Sequence, residues 1–184
     1  VLAIGAQRQV LIHHTETLAL LGILSFSEGF PHTVRFSRNG RLLLASGGRG
    51  GMSGCVVVWR LADGRRVIEI GGELDAVLVA DITADQSQIA LGGPSKLVKV
   101  FDTGTGTLIR TIKKHTDWVT ALAYSPDGVL LATGNRAGGL HVWEAYGGGA
   151  FYALAGHDGQ VTAMSWRDDG NVLASASEDG TIRL

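Results

Sequence analysis

"KKHTDWVTALAYSPDGVLLATGNRAGGLHVWE" (113–144) and "AGHDGQVTAMSWRDDGNVLASASEDGTIRL" (155–184) lie over one another without a gap. His115 falls on His157 and Asp127 on Asp169, both 42 residues apart. The same interval separates Phe101 of "VKVFD" from Trp143 of "LHVWE", and Trp59 from Phe101. One interval upstream of His115, Glu73 takes the histidine's place, and Asp85 takes that of Asp127. Asn39 of "SRNG" lies 46 residues before Asp85, so the second unit carries four extra residues between its turn and Trp59. Several landmarks sharing one period mark a repeat protein, whose units stack on their neighbours.

Each unit has one internal plan. An alternating segment such as "WVTALAY" is followed by a turn such as "SPDG", then "VLLAT", a second turn, "LHVWE" and a looser segment such as "FYAL". Short alternating runs bounded by Gly, Asp and Asn read as a four-stranded antiparallel meander. Such a small sheet cannot bury both faces alone, so it must be covered by the next unit.

The composition agrees. The 184 residues include 27 glycines and three prolines, with 45% apolar and 18% charged residues, which excludes a disordered chain or a coiled coil. A formal net charge of −1 with mixed signs lacks the basic stripe of a nucleic-acid binder. No apolar run is long enough to span a bilayer, so no membrane insertion is expected. Nothing at the start resembles a signal peptide, although the chain opens on Val1 rather than Met. A soluble cytoplasmic or periplasmic location is expected. The single cysteine, Cys55 of "CVVVW", allows neither an internal disulfide nor a Cys-based zinc site and reads as a buried, inert thiol.

The repeat resembles the WD-repeat β-propeller family over essentially the whole chain. The stretch from "AGHDG" to "DGTIRL" is close to the family pattern, "TDWVTALAYSPDGVLLATG" nearly as close, and "FDTGTG" follows its looser end. The sequence has a bacterial character and is similar to proteins that join WD repeats to a c-type cytochrome domain, though it holds no "CxxCH" haem site. The resemblance implies an all-β propeller segment of about four and a half blades. These are a partial blade over 1–26, a blade with the four-residue insertion over 27–72, blades over 73–114 and 115–156, and a blade lacking its last strand over 157–184. Strands are expected as three, four, four, four and three. Mismatched ends imply part of a larger, seven-bladed ring.

The family's structural signature is a hydrogen-bonded set of His, Ser or Thr, Asp and Trp. The resemblance assigns it to His157, Ser175 and Asp179 in the last unit, with the tryptophan position falling one residue beyond the end. In the fourth unit it assigns His115, Thr133 and Trp143, but Ala137 stands at the Asp place. The third has Glu73, Leu91, Ser95 and Phe101. The second keeps Trp59, with Ser27 at the histidine place. A buried imidazole tied to a hydroxyl and a carboxylate satisfies groups that are otherwise costly to bury.

No reaction chemistry emerges, and the segment is read as non-enzymatic, without cofactor or metal. The pair His13-His14 lies on a strand, so its side chains point to opposite faces and cannot easily share a metal. His141, alternating with Leu140 and Val142, reads as a packed or surface histidine. Asp127, Asp168 and Asp169 sit in turns that favour Asp for local reasons. Neither a Gly-x-Ser-x-Gly elbow nor a His-Glu-x-x-His helix occurs.

Binding is the better prospect. The repeat places Phe30, Ala76, Trp118 and Gln160 at the start of the first strands, with Arg136 and Glu178 beside the turn Asp position. An aromatic residue flanked by charge suits a protein-interaction hot spot. Trp118, Phe30, Arg136, Glu178 and Arg49 are therefore the candidates for a protein or peptide ligand. For Trp118 and Phe30 alike, packing between blades is the alternative. Two functional classes stay open: a scaffold docking a protein or peptide on the loop face, or an accessory or sensor domain of a longer chain with other domains, including a redox enzyme. "SGGRGGMSGC" (46–55) fails the Gly-x-Gly-x-x-Gly phosphate pattern and precedes no helix, so it reads as an enlarged turn with Arg49 and Met52 at its tip.

Overall fold

The computed structural model describes residues 1–154 and 156–184, with only the backbone of residue 151. Residue 155, near the end of the fourth unit, lies outside them. Among the described residues, eighteen strands form five antiparallel sheets and no helix occurs. The chain divides into two compact units, Val1–Val77 and Leu78–Leu184.

In the first unit, β1 (Leu2–Ala6), β2 (Gln9–His13) and β3 (Leu20–Ser25) form a three-stranded meander. A four-stranded sheet follows from β4 (Phe30–Phe36), β5 (Leu42–Arg49), β6 (Ser53–Arg60) and β7 (Arg66–Glu73). Glu73, placed by the repeat at the head of the third unit, is thus the last residue of β7. Val10, Phe26, Leu43, Ala45, Val57 and Trp59 form the core of this unit.

The second unit holds two further four-stranded sheets. One is β8 (Val79–Ile82), β9 (Gln88–Gly92), β10 (Val98–Asp102) and β11 (Leu108–Ile112). The other is β12 (Val119–Tyr124), β13 (Leu130–Asn135), β14 (Leu140–Glu144) and β15 (Ala150–Leu154). A three-stranded sheet of β16 (Val161–Trp166), β17 (Leu173–Ser177) and β18 (Ile182–Arg183) completes it.

Alternation in "WVTALAY" predicts a half-buried strand, yet almost all of β12 is buried. The reason is that each face has its own cover. Leu122 and Tyr124 join Val79, Ala90 and Val100 on one side, while Ala121 and Ala123 join Val161 and Met164 on the other. A glycine admits each neighbouring sheet. A Cβ on Gly134 would lie 2.7 Å from Val161 Cγ1, and one on Gly92 would lie 2.6 Å from Val119 Cγ1, the same contact one repeat earlier.

The turns between first and second strands are built by side chains. Ser37, Thr83 and Ser125 each donate their hydroxyl to Asn39, Asp85 or Asp127 two residues on. Each also accepts the amide of the residue five positions on, at 2.9–3.0 Å. These bonds explain why "SRNG", "TADQ" and "SPDG" occupy equivalent places.

"SGGRGGMSGC" departs from the enlarged turn expected of it. Gly47↔Cys55, Gly48↔Gly54 and Arg49↔Ser53 are paired in the β5–β6 ladder, and only residues 50–52 turn. The extra residues lengthen both strands to eight, against five or six in the equivalent hairpins of the second unit. Backbone proximity accounts for Gly47, Gly48 and Gly54. A Cβ on Gly47 would sit 1.9 Å from the Phe30 carbonyl oxygen, where no side chain fits.

Candidate interaction site

Trp118 ends the connection between β11 and β12 and is 40% exposed. Its amide donates to the Asp117 carboxylate at 2.8 Å, which fixes the backbone just before β12 begins. Its carbonyl accepts the Arg136 amide at 2.8 Å, so the turn after β13 is tied to it. The Arg136 guanidinium carbon lies 5.1 Å from the Trp118 ring centroid, a cation–π distance. The sequence nominates both residues, and the fold brings them together.

Asn135, which the sequence reading passes over, sets up this corner. It is buried at the end of β13, and its Oδ1 accepts the amides of Ala137 at 3.0 Å and Gly139 at 2.8 Å. That bonding holds the tight turn on which Arg136 stands. The only available signal was an Asn before a Gly-rich turn, which is common to many turns. One repeat later the same backbone bond joins Glu178 N–H to the Gln160 carbonyl at 2.9 Å, placing Glu178 where Arg136 stands.

The other candidates sit elsewhere. Phe30 is half exposed at the start of β4, facing Gly48 across the ladder, and Arg49 is exposed at the end of β5. Ala76 differs from expectation, being buried and three residues ahead of β8.

Behind the corner lies the imidazole network. His115 Nε2 is 2.8 Å from Thr133 Oγ1, and the Trp143 indole N–H donates to the same oxygen at 2.8 Å. His115 Nδ1 is buried without a partner. Burial, reinforced by the nearby His141, lowers the His115 pKa to about 4, so the ring is neutral at pH 7. His141 packs edge-on to His115 at 5.1 Å and lies 5.5 Å from the Trp143 ring, a stack that the sequence did not reveal.

In the last sheet the row is longer. His157 Nδ1 lies 2.8 Å from Asp179 Oδ2, and Nε2 lies 2.8 Å from Ser175 Oγ. Thr181 donates its hydroxyl at 2.7 Å and its amide at 2.8 Å to the other Asp179 oxygen. These Thr181 bonds, with His157, outweigh burial and hold the Asp179 carboxyl well below the usual carboxylate range. A hydroxyl–imidazole–carboxylate row is also the arrangement of nucleophilic hydrolases. One repeat earlier the row recurs with Thr133, an indole donor and no acid.

Trp59 has no such network. Across the ladder it faces Leu43, and Ala45 occupies the position that Thr133 holds relative to Trp143. Trp59 packs instead against Phe26, with ring centroids 6.4 Å apart. Ser27 is exposed and donates to Glu28 Oε1 at 3.0 Å, away from any tetrad role.

Among the described residues, no three His, Cys, Asp or Glu side chains converge as metal ligands, and no helix is long and apolar enough to cross a membrane. No curated protein matches the chain. Residues 106–144 and 150–184 each match the family described as WD domain, G-beta repeat. Those two segments contain His115, Thr133 and Trp143 in one and His157, Ser175 and Asp179 in the other, and both are repeats of the WD-repeat family.

Proposed function

We propose that this chain is an interaction module that docks a protein or peptide partner at the end of its sheets marked by Trp118. Repeats of this family serve in protein–protein interaction. The observation that carries the proposal is the half-exposed indole of Trp118, covered by the Arg136 guanidinium and carried on a backbone whose amide is held by the Asp117 carboxylate. A large aromatic surface kept in water and held in one orientation loses little entropy when a partner covers it. Core packing would instead have placed Trp118 with Trp143, which is only 4% exposed.

The test is Trp118→Ala, measured against a short peptide selected on the wild-type chain. Binding is expected to weaken by about 2 kcal/mol, the size of a hot spot, with the melting temperature nearly unchanged. A large drop in melting temperature with unaltered binding would show that Trp118 is a core residue and end the proposal.

A further inference from the structure

We propose that the Trp118–Arg136 corner is a carboxylate receptor, taking a partner segment in which Asp or Glu neighbours an apolar residue. The inference rests on the docking reading above and specifies its chemistry. Arg136 decides it. Its guanidinium rests on the Trp118 ring at 5.1 Å and makes no ion pair with any described residue. A guanidinium stacked on an aromatic face is already oriented, and its planar N–H fork matches the two oxygens of a carboxylate.

The surrounding charges point the same way. Lys113 and Lys114 are exposed on the connection that leads to Trp118, and neither has an ion pair among the described residues. The one carboxylate on that connection, Asp117, is engaged by the Trp118 amide. An incoming acid would thus meet the Arg136 guanidinium, with the exposed Lys113 and Lys114 upstream on the same connection. The exposed indole supplies the apolar contact for the neighbouring residue.

Sign reversal in the next repeat sharpens the assignment. Gln160 and Glu178 hold the places of Trp118 and Arg136 and are joined by the same backbone bond. The framework is therefore common to both repeats, and the aromatic–guanidinium pair is particular to this corner.

The experiment selects short random peptides displayed on phage against the chain, with counter-selection on Trp118→Ala. Enriched peptides are then titrated by fluorescence anisotropy against the wild type, Arg136→Gln and Arg136→Lys, each variant first checked by thermal melting. The expected result is enrichment of Asp or Glu beside an apolar residue. Binding should fall about tenfold or more when that acid becomes its amide, or in Arg136→Gln. Arg136→Lys, which keeps the charge but loses the fork, should fall between, and added salt should weaken binding. Trp118-dependent peptides without acidic residues, or with equal affinity for Arg136→Gln, overturn the carboxylate assignment and leave the docking reading intact. Failure to enrich any Trp118-dependent peptide removes the docking reading, and the carboxylate assignment with it.

Discussion

The Nδ1 atom of His157 lies 2.8 Å from the Asp179 carboxylate, whereas the matching atom of His115, one repeat earlier, is buried with no partner. Ala137 stands where Asp179 stands, and Gly139 where Thr181 places its hydroxyl 3.4 Å from the same His157 atom; these two residues separate a satisfied imidazole from an orphaned one. Either tautomer of His115 leaves Nδ1 unpaired, as a stranded N–H or a stranded lone pair. An unsatisfied buried group costs stability.

Ala137→Asp should therefore stabilise the chain, by roughly 1–2 kcal/mol. Residue 137 is exposed, so the new carboxylate need not displace core atoms. The check is urea unfolding of both proteins. The reciprocal change, Asp179→Ala, leaves His157 Nδ1 with only the Thr181 hydroxyl at 3.4 Å and should cost a similar amount. Equal stability of Ala137→Asp and wild type would show that His115 Nδ1 is not a liability.

Acid sensitivity follows from the same atom. Burial, with His141 adding to it, holds His115 at about 4 in the folded state, against 6.5 for an ordinary imidazole. As pH falls, the unfolded chain takes up this proton first. Stability is full above 6.5 and is lost progressively down to about 4, by up to roughly 3 kcal/mol. His141, lowered by its own burial and by Lys114, acts in the same direction. Asp85, held to about 2 by Thr83 and Ser87 despite its burial, contributes only at lower pH, below its ordinary 3.8. Melting curves between neutral and mildly acidic pH should show the loss. Ala137→Asp should flatten or reverse it by raising the His115 pKa.

Gln86 occupies a left-handed turn position, φ +65°, where the equivalent residues are Gly40, Gly128 and Gly170 at +67°, +75° and +73°. Gln86→Gly should remove about 1–2 kcal/mol of steric strain while costing up to about 1 kcal/mol in chain entropy. A small rise in melting temperature is expected. A fall would mean that the Gln86 side chain contributes more than its backbone costs.

Two alanine substitutions within "SGGRGGMSGC" should behave oppositely. In Gly47→Ala the added Cβ meets the Phe30 carbonyl oxygen at 1.9 Å, so the β4–β5 ladder must open. The loss should exceed about 3 kcal/mol, the range reserved for steric conflict inside a packed element. Gly50→Ala meets only Asp75 Oδ1 at 3.8 Å and should be nearly neutral. Chemical denaturation of the two proteins side by side decides it.

Much of the architecture could be read without coordinates because its causes are local. Turn hydroxyls and carboxylates bond within five residues of themselves, so "SRNG", "TADQ" and "SPDG" announce their geometry wherever they stand. The 42-residue period then carries that local geometry along the chain, strand by strand. Trp118 and Arg136 were legible one at a time, as an aromatic residue and a charge at repeat-defined ends of strands.

What the sequence determined by itself is the repeating antiparallel sheet, its turns and the positions of its histidines, hydroxyls and acids. Tertiary structure alone decided which of these meet. It stacked Arg136 on Trp118 through the buried side chain of Asn135, and it covered both faces of β12, where alternation had suggested one. It also placed Gly47, Gly48 and Gly54 in a ladder and left only residues 50–52 to turn. Glycine satisfies two demands with the same atoms, freedom to turn and room for a close backbone, and only the neighbouring strand shows which demand was made.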